Sequence, residues 1–393
     1  MTRRLLAAGA AAAALLAAGC GGGDEAKTVS AQTTTTKVEV LQDAGGGGRS
    51  GGSFNPSAIY RRESPGVVTI ISTGLGNDDG GGGGGGESGL GSGFVISGNG
   101  EIATNAHVVT SGEGGSIRKA DEVFVRFKDD NRVPAKIIGF DPFSDVALLK
   151  VDPAGLTLRP LPLGSAADLR VGAPVAAIGS PFGEDQSLSV GVISALDRSI
   201  QSLTGFDTIG AIQTDAAINH GNSGGPLLDA RGRVLGINAQ IQTSTGDGSG
   251  VGFAVSVDTV KRSLGQLRRE GKVHYAYLGV TTSAVFPQLA QRFGLEVDHG
   301  AWVQAVSPDG PSDRAGLKPG DRRERFQDSG YVAGGDVITS VGGHAIRDED
   351  DVAQALVRLA PGATVEIQVM RGDQRKTLRV KLGERPLDAP RAG

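Results

Sequence analysis

Cysteine is almost missing from this chain. Its single copy, Cys20, excludes an intrachain disulfide and any metal site built on several thiolates. Histidine is sparse too. His107, His220, His274, His299 and His344 are scattered and fit no ligand spacing, so no metal is expected. Charge of one sign is also lacking: the net charge of −4 gives no basis for a nucleic-acid partner. The apolar run Leu5–Gly19 has 15 residues, short of the roughly 20 that a membrane-spanning helix needs. Glycine, by contrast, is abundant, at 64 of 393 residues, and much of the excess is local. The length suits two or three domains, each with its own core.

The N-terminus has the order of a targeting segment: Arg3 and Arg4, then the apolar run, then Ala17-Ala18-Gly19-Cys20. That ending resembles a bacterial lipoprotein processing site, which implies a signal peptide over 1–19 and a lipid on Cys20 holding the chain to a membrane. Ala17 departs from the leucine that the pattern prefers, and ordinary secretion is the competing expectation. Residues 20–53 are rich in Gly, Thr and Ser and are expected to form a flexible tether. Residues 385–393 are expected to fray.

From Pro65 the pattern becomes short β-rich runs divided by turns: Val67–Ser72, Phe94–Ser97, Ile102–Thr104, Val123–Phe127, Val133–Ile138, Val146–Val151, Pro174–Ile178, Ser187–Leu196, Ala211–Thr214, Val234–Gln240 and Val251–Val255. Gly80–Gly86 reads as a mobile loop. So many short strands with little helix predict β-barrels.

Three places carry chemistry. Asn219–Leu227 reads N-H-G-N-S-G-G-P-L, placing Ser223 among glycines that permit a tight turn and close backbone approach. A plain Gly-rich turn would look the same, and serine needs a base and oxyanion donors to act. His107 follows a strand in Thr104–Val109. Asp145 stands at the mouth of the apolar strand Val146–Val151, where an unpaired carboxylate is costly and an imidazole N–H would offset the cost. Asp145 could equally be a turn or cap residue, although Asp141, before Pro142, is the better turn candidate. The order His107, Asp145, Ser223 is that of the chymotrypsin-type triad. Ser223 would attack a carbonyl, His107 would move the proton, Asp145 would orient His107, and the backbone N–H groups of Gly221 and Ser223 would receive the oxyanion.

Gly91–Ser97 (GSGFVIS), Ala103–Val109 (ATNAHVV), Asp141–Val151 (DPFSDVALLKV), Ile212–Leu228 (IQTDAAINHGNSGGPLL) and Gly250–Ser256 (GVGFAVS) together resemble the HtrA (DegP-like) serine proteases. The resemblance implies a mainly β chain: a chymotrypsin-type double β-barrel protease domain over 54–258, working without calcium or ATP. It carries the catalytic roles onto His107, Asp145 and Ser223. Ala217, six residues before the serine, argues against selection of basic side chains. Ile241 implies a shallow pocket for small or branched apolar ones. The loops 180–187, 199–208 and 242–249 would surround the site, the middle one as a sensor loop ordering the oxyanion hole. His220 departs from the family pattern and is expected at the surface. Family trimers are built from N-terminal segments, where Phe54 and Tyr60 are the available aromatics, so a homotrimer is implied.

Val257–Gly271 has one apolar helical stripe, Val257, Val260, Leu264 and Leu267, and is expected to connect two domains over 259–272. Residues 273–384 then resemble an α+β PDZ domain. Tyr277-Leu278-Gly279-Val280 matches its carboxylate-binding loop, which implies binding of peptide C-termini along an edge strand. The helix Asp348–Leu359 would form the groove's other wall. About 14 residues, Asp321–Gly334, are inserted and are expected as a solvated hairpin, with an interface role as the alternative.

The expectation is an envelope serine endopeptidase acting on unfolded or damaged proteins under PDZ control. The alternatives are a non-proteolytic chaperone or scaffold, and a regulatory protease with one signalling substrate.

Overall fold

The computed structural model describes residues 54–75, 88–180, 186–219, 221–239 and 251–388. The expected leader and tether lie outside them, as do Cys20, His220 and Ile241.

The first half is antiparallel β-structure. Seven strands pair in the order Arg132–Pro134, Glu122–Arg126, Val67–Thr73, Gly89–Val95, Glu101–Thr104, Val146–Lys150 and Lys136–Asp141. The expected strand Val133–Ile138 is thus two strands, with Ala135 between them donating its N–H to Val123 O at 2.8 Å. A closed six-stranded barrel follows: Pro174–Gly179, Ser187–Gln201, Asp207–Thr214, Gly252–Ser256, Val234–Ala239 and Pro226–Leu228. Its longest hairpin corrects an expectation. Ser187–Gln201 and Asp207–Thr214 stay paired up to Gln201 and Asp207, so the connection is only residues 202–206 where a loop over 199–208 was expected. The hairpin's register shifts between Ile193 and Ala195, Ala195 and Arg198, and Arg198 and Ile200, as bulges do.

The helix Val257–Glu270 is more than a connector. Its stripe Val257, Val260, Leu264 and Leu267 is buried, three of the four in one core with Phe94 and Leu148 of the sheet and Ile178 and Ile237 of the barrel. Gly271 stops it in the left-handed conformation, φ 71°, donating to Leu267 O at 2.9 Å. Ser263 on the same face reaches Asp141. That residue, expected to do no more than start a turn, is fully buried. Its carboxylate accepts from Phe143 N–H (3.0 Å), Ser144 N–H (3.3 Å), Ser144 Oγ (2.5 Å), Ser263 Oγ (2.6 Å) and Tyr275 Oη (2.7 Å).

The second half has its own core, including Leu278, Val303, Leu317, Ile338, Leu356 and Ile367. Its sheet runs Val280–Val285, Gly300–Val306, Val337–Val341, Thr364–Arg371 and Gln374–Lys381, with Val280–Val285 at the edge. The helix Glu349–Val357 is capped by Asp348, whose side chain accepts from Asp351 N–H at 3.0 Å. The insertion folds as the hairpin Arg322–Phe326 and Ser329–Ala333, but only one of its faces is solvated. The other packs Phe326 and Tyr331 on Phe293 and buried Trp302, with Tyr331 stacked 6.0 Å from the Trp302 ring. The aromatic residues outweigh the charged ones that suggested full solvation.

A buried carboxylate stripped of its donors' purpose, or donors stripped of their acceptor, is costly. Asp141→Ala is expected to lower the unfolding free energy by about 3 kcal/mol or more in urea denaturation. Tyr275→Phe, which removes one donor, should cost about 1–2 kcal/mol.

Candidate active site

The site lies where the seven-stranded sheet meets the barrel. His107 sits in a turn after Glu101–Thr104, closed by Val109 N–H to Ala106 O at 3.0 Å. Val108 anchors that turn. Its side chain is buried against Gly91, and its carbonyl accepts from Ser72 Oγ at 2.7 Å.

Asp145 ends the turn that Asp141 begins and opens the strand Val146–Lys150. Its φ of 56° is left-handed, which aspartate tolerates better than most residues. That conformation lets it hold the His107 turn at three points. Oδ1 accepts the His107 backbone N–H at 2.9 Å, Oδ2 pairs with His107 Nδ1 at 2.7 Å, and its carbonyl accepts from Asn105 Nδ2 at 2.7 Å. The cost of a carboxylate beside an apolar strand is thus met by an imidazole and one backbone amide.

Ser223, which is only 6% exposed, lies in a turn built by close packing. Asn222 N–H closes on Asn219 O and Gly225 N–H on Asn222 O, both at 3.0 Å. Gly224 has φ +87°, and a Cβ there would lie 2.0 Å from Ser92 O and 2.4 Å from Thr104 Oγ1. Ser92, whose role was not legible in the sequence, grips the turn. Its N–H donates to Ser223 O at 2.8 Å, and its Oγ donates to Gly221 O at 2.5 Å while accepting from Ser180 N–H at 2.8 Å. Thr104 Oγ1 in turn donates to Ser92 O at 2.6 Å. The strand leading to His107 and the turn bearing Ser223 therefore share one corner. In the sequence Ser92 was marked by its place between Gly91 and Gly93 and by the run Gly91–Ser97, neither of which gave it a role.

Ala217 is exposed near this turn, its carbonyl accepting from Asn222 Nδ2 at 3.3 Å. Among the described residues no group of three or more His, Cys, Asp or Glu converges to hold a metal.

The Tyr277–Val280 loop forms a second, separate feature. Gly279, φ +78°, gives its carbonyl to Ser307 N–H at 2.9 Å, and Leu278 O accepts from Ser312 N–H and Oγ at 3.1 and 2.8 Å. Tyr277 meets Phe206 of the barrel hairpin edge-on, with centroids 6.3 Å apart.

Burial opposes a charge on His107. The neighbouring Asp145 carboxylate, through its charge and hydrogen bond, outweighs this and holds the imidazole pKa above the ordinary histidine value.

A trypsin-like serine peptidase domain followed by a PDZ domain is the class that fold and site define. Residues 91–237 match the family described as "Trypsin-like peptidase domain", and 276–382 match "PDZ domain". The solved structure titled "HtrA-type protease AlgW with tripeptide" is 33% identical with a TM-score of 0.69, covering 84% of this chain and 98% of that one. The "Probable periplasmic serine endoprotease DegP-like" of Ectopseudomonas mendocina (strain ymp) is 43% identical over 298 residues, 76% of this chain and 57% of its own length. "Protease Do-like 1, chloroplastic" of Arabidopsis thaliana is 42% identical over 299 residues, 76% of this chain and 64% of its own. The chain thus spans less than two thirds of these two relatives. It belongs to the HtrA-type protease family.

Replacing Asp145 by Asn leaves burial to act alone, so the His107 pKa is expected to fall below the ordinary value of about 6.5. A histidine NMR titration reads this directly. The sign for stability follows. The wild-type pair's contribution is complete below the unfolded histidine pKa and is lost as pH rises through the higher folded value, and Asp145→Asn should flatten that dependence.

Proposed function

We propose that the chain is a serine endopeptidase that uses Ser223 as nucleophile, His107 as base and Asp145 as orienting acid. The observation carrying this reading is the 2.7 Å contact from His107 Nδ1 to Asp145 Oδ2, on the same corner that grips the Ser223 turn. With Nδ1–H given to Asp145, Nε2 is the nitrogen left to accept the Ser223 proton as Oγ attacks a peptide carbonyl. The C–N bond breaks as His107 returns that proton to the leaving amine. Water then repeats the sequence on the acyl-serine, releasing the acid and regenerating Ser223. Gly221 and Ser223 N–H groups receive the oxyanion, where one such donor is worth about 3 kcal/mol.

Ala217, with no carboxylate, disfavours basic residues before the cleaved bond, and Ile241 is proposed as the wall of a shallow pocket for small or branched apolar ones. The edge strand Val280–Val285 and the Tyr277–Val280 loop suit added peptide C-termini. Tyr277 on Phe206 supports control of the peptidase by such peptides. The division into 54–258, 259–272 and 273–384, the homotrimer and the lipid on Cys20 belong to the same proposal. So does an extracytoplasmic envelope location, which draws on the relative's periplasmic name. The substrates are unfolded or damaged proteins.

The test is cleavage of an unfolded protein, with the new termini identified by mass spectrometry. Wild type should cut after Val, Ala, Ile or Leu, while Ser223→Ala should lose about 10³-fold or more in rate. Equal cleavage by both would leave the chaperone or scaffold reading standing. Peptides with free apolar C-termini should raise the wild-type rate, and the same peptides amidated should not.

A further inference from the structure

Arg385 was expected to open a frayed tail, but it does not fray. The preceding Gly383–Glu384 pairs with Ala276–Tyr277, and Arg385 N–H donates to Tyr275 O at 2.9 Å. The guanidinium lies over three rings: 5.0 Å from Phe206, 5.4 Å from Tyr275 and 5.7 Å from Phe143. Three residues on, Asp388 Oδ1 accepts from Gly115 N–H at 2.9 Å.

These rings matter because of what each is attached to. Phe143 is the middle residue of the turn Asp141–Asp145, and its N–H is tied to Asp141. Tyr275 donates its hydroxyl to the same carboxylate. Phe206 belongs to the barrel hairpin, from which Thr208 Oγ1 also donates to Phe143 O. One cation thus covers the turn that carries the His107 partner, the phenol that braces it and the hairpin beside it.

The position is expensive. Burial depresses the guanidinium pKa, and Nε–H has no hydrogen-bond partner among the described residues. The charged and titratable groups around it are Asp141, Tyr275, Tyr277 and Arg262. Ring faces repay part of that cost, but an apolar side chain of similar length would fill the space without it.

We propose that Arg385 is a positioning residue for the reaction, fixing the Asp141–Asp145 turn, and through it His107, from beyond the end of the second domain's sheet. This rests on the serine-peptidase reading. It assigns to the segment after that sheet a part in catalytic geometry that a peptidase domain alone would lack.

The test compares the full chain with Arg385→Met, which keeps the stem and loses the cation, and Arg385→Lys, which keeps a cation without the planar fork. A small peptide ester that does not need the second domain serves as substrate. For Arg385→Met, kcat is expected to fall about 10- to 100-fold with KM changed less than about 2-fold, as for a misplaced catalytic group. The acid limb of kcat/KM should move down in pH, and the far-downfield proton between His107 Nδ1 and Asp145 should weaken in the NMR spectrum. Arg385→Lys should lie between. Wild-type kcat, acid limb and downfield proton in folded Arg385→Met would overturn the proposal, even if its melting temperature drops. Should Arg385→Met fail to fold, Arg385→Lys is scored by the same three readouts. Labelling of Ser223 with a fluorophosphonate separates the two readings. A wild type that is never labelled sinks the peptidase reading, while equal labelling rates with an unchanged His107 resonance sink only the role of Arg385.

Discussion

A carboxylate that folding strips of water must be answered from within, and Asp141 sets much of this structure by that requirement. No histidine, lysine or arginine forms an ion pair with it among the described residues. Two hydroxyls, two amides and a phenol do the work instead. They come from three separate segments: the turn itself, the helix Val257–Glu270 and the stretch leading into the second domain. Each donor helps only if its segment is in place, so the buried charge couples their positions. Burial, and then the Asp141 charge, push the Tyr275 phenol up to about 12. It therefore remains a donor across the whole pH range in which the imidazole titrates.

This constraint runs directly into the site. The turn that Asp141 locks ends at Asp145, whose left-handed backbone is unfavourable on its own. With the preceding residues fixed, the Asp145 side chain faces the His107 turn, and the two hold each other by side chain and main chain. On the serine side the constraint is steric. Gly224 stands where any Cβ would strike Ser92 O, so the serine's presentation depends on a missing methyl group rather than on a contact. One half of the site is held by charge and the other by close approach, and the Ser92–Thr104 hydrogen bond joins them.

The pieces legible in the sequence were those that local rules describe. Strand alternation, the helix stripe with its glycine stop, and the paired turn residues are features of a few consecutive positions. His107, Asp145 and Ser223 were conspicuous because His107 follows a strand, Asp145 precedes one and Ser223 stands among turn glycines. Asp141 was legible as a turn residue because three of its five donors are local, but its burial was not, because the other two, Ser263 and Tyr275, lie more than 100 positions away. Ser92 has the same character, since its partners Gly221 and Ser223 lie across the interface between sheet and barrel. The inserted hairpin formed as expected, but its packed face was missed for a related reason. Its arginines are visible in composition, whereas the alternation that turns Tyr331 onto Trp302 gains meaning only once Phe293 is beside it.

The seam between the halves includes a cluster of rings, Phe143, Phe206, Tyr275 and Tyr277, around one desolvated cation. That choice has a consequence for control. Exposed ion pairs weaken gradually as geometry or salt changes, and each is worth about 1 kcal/mol or less. Interlocked aromatic rings resist small displacements and give way in discrete repackings, because a close-packed seam deforms poorly. Phe206 touches Phe143 on one side and Tyr277 on the other. Under the proposed control, a C-terminal peptide settling against the Tyr277–Val280 loop would have to keep or break that ring contact, with little between. The barrel hairpin that carries Phe206 is long, and its register shifts at three places. The same buried carboxylate that fixes the acid turn is also what such a repacking would have to leave intact.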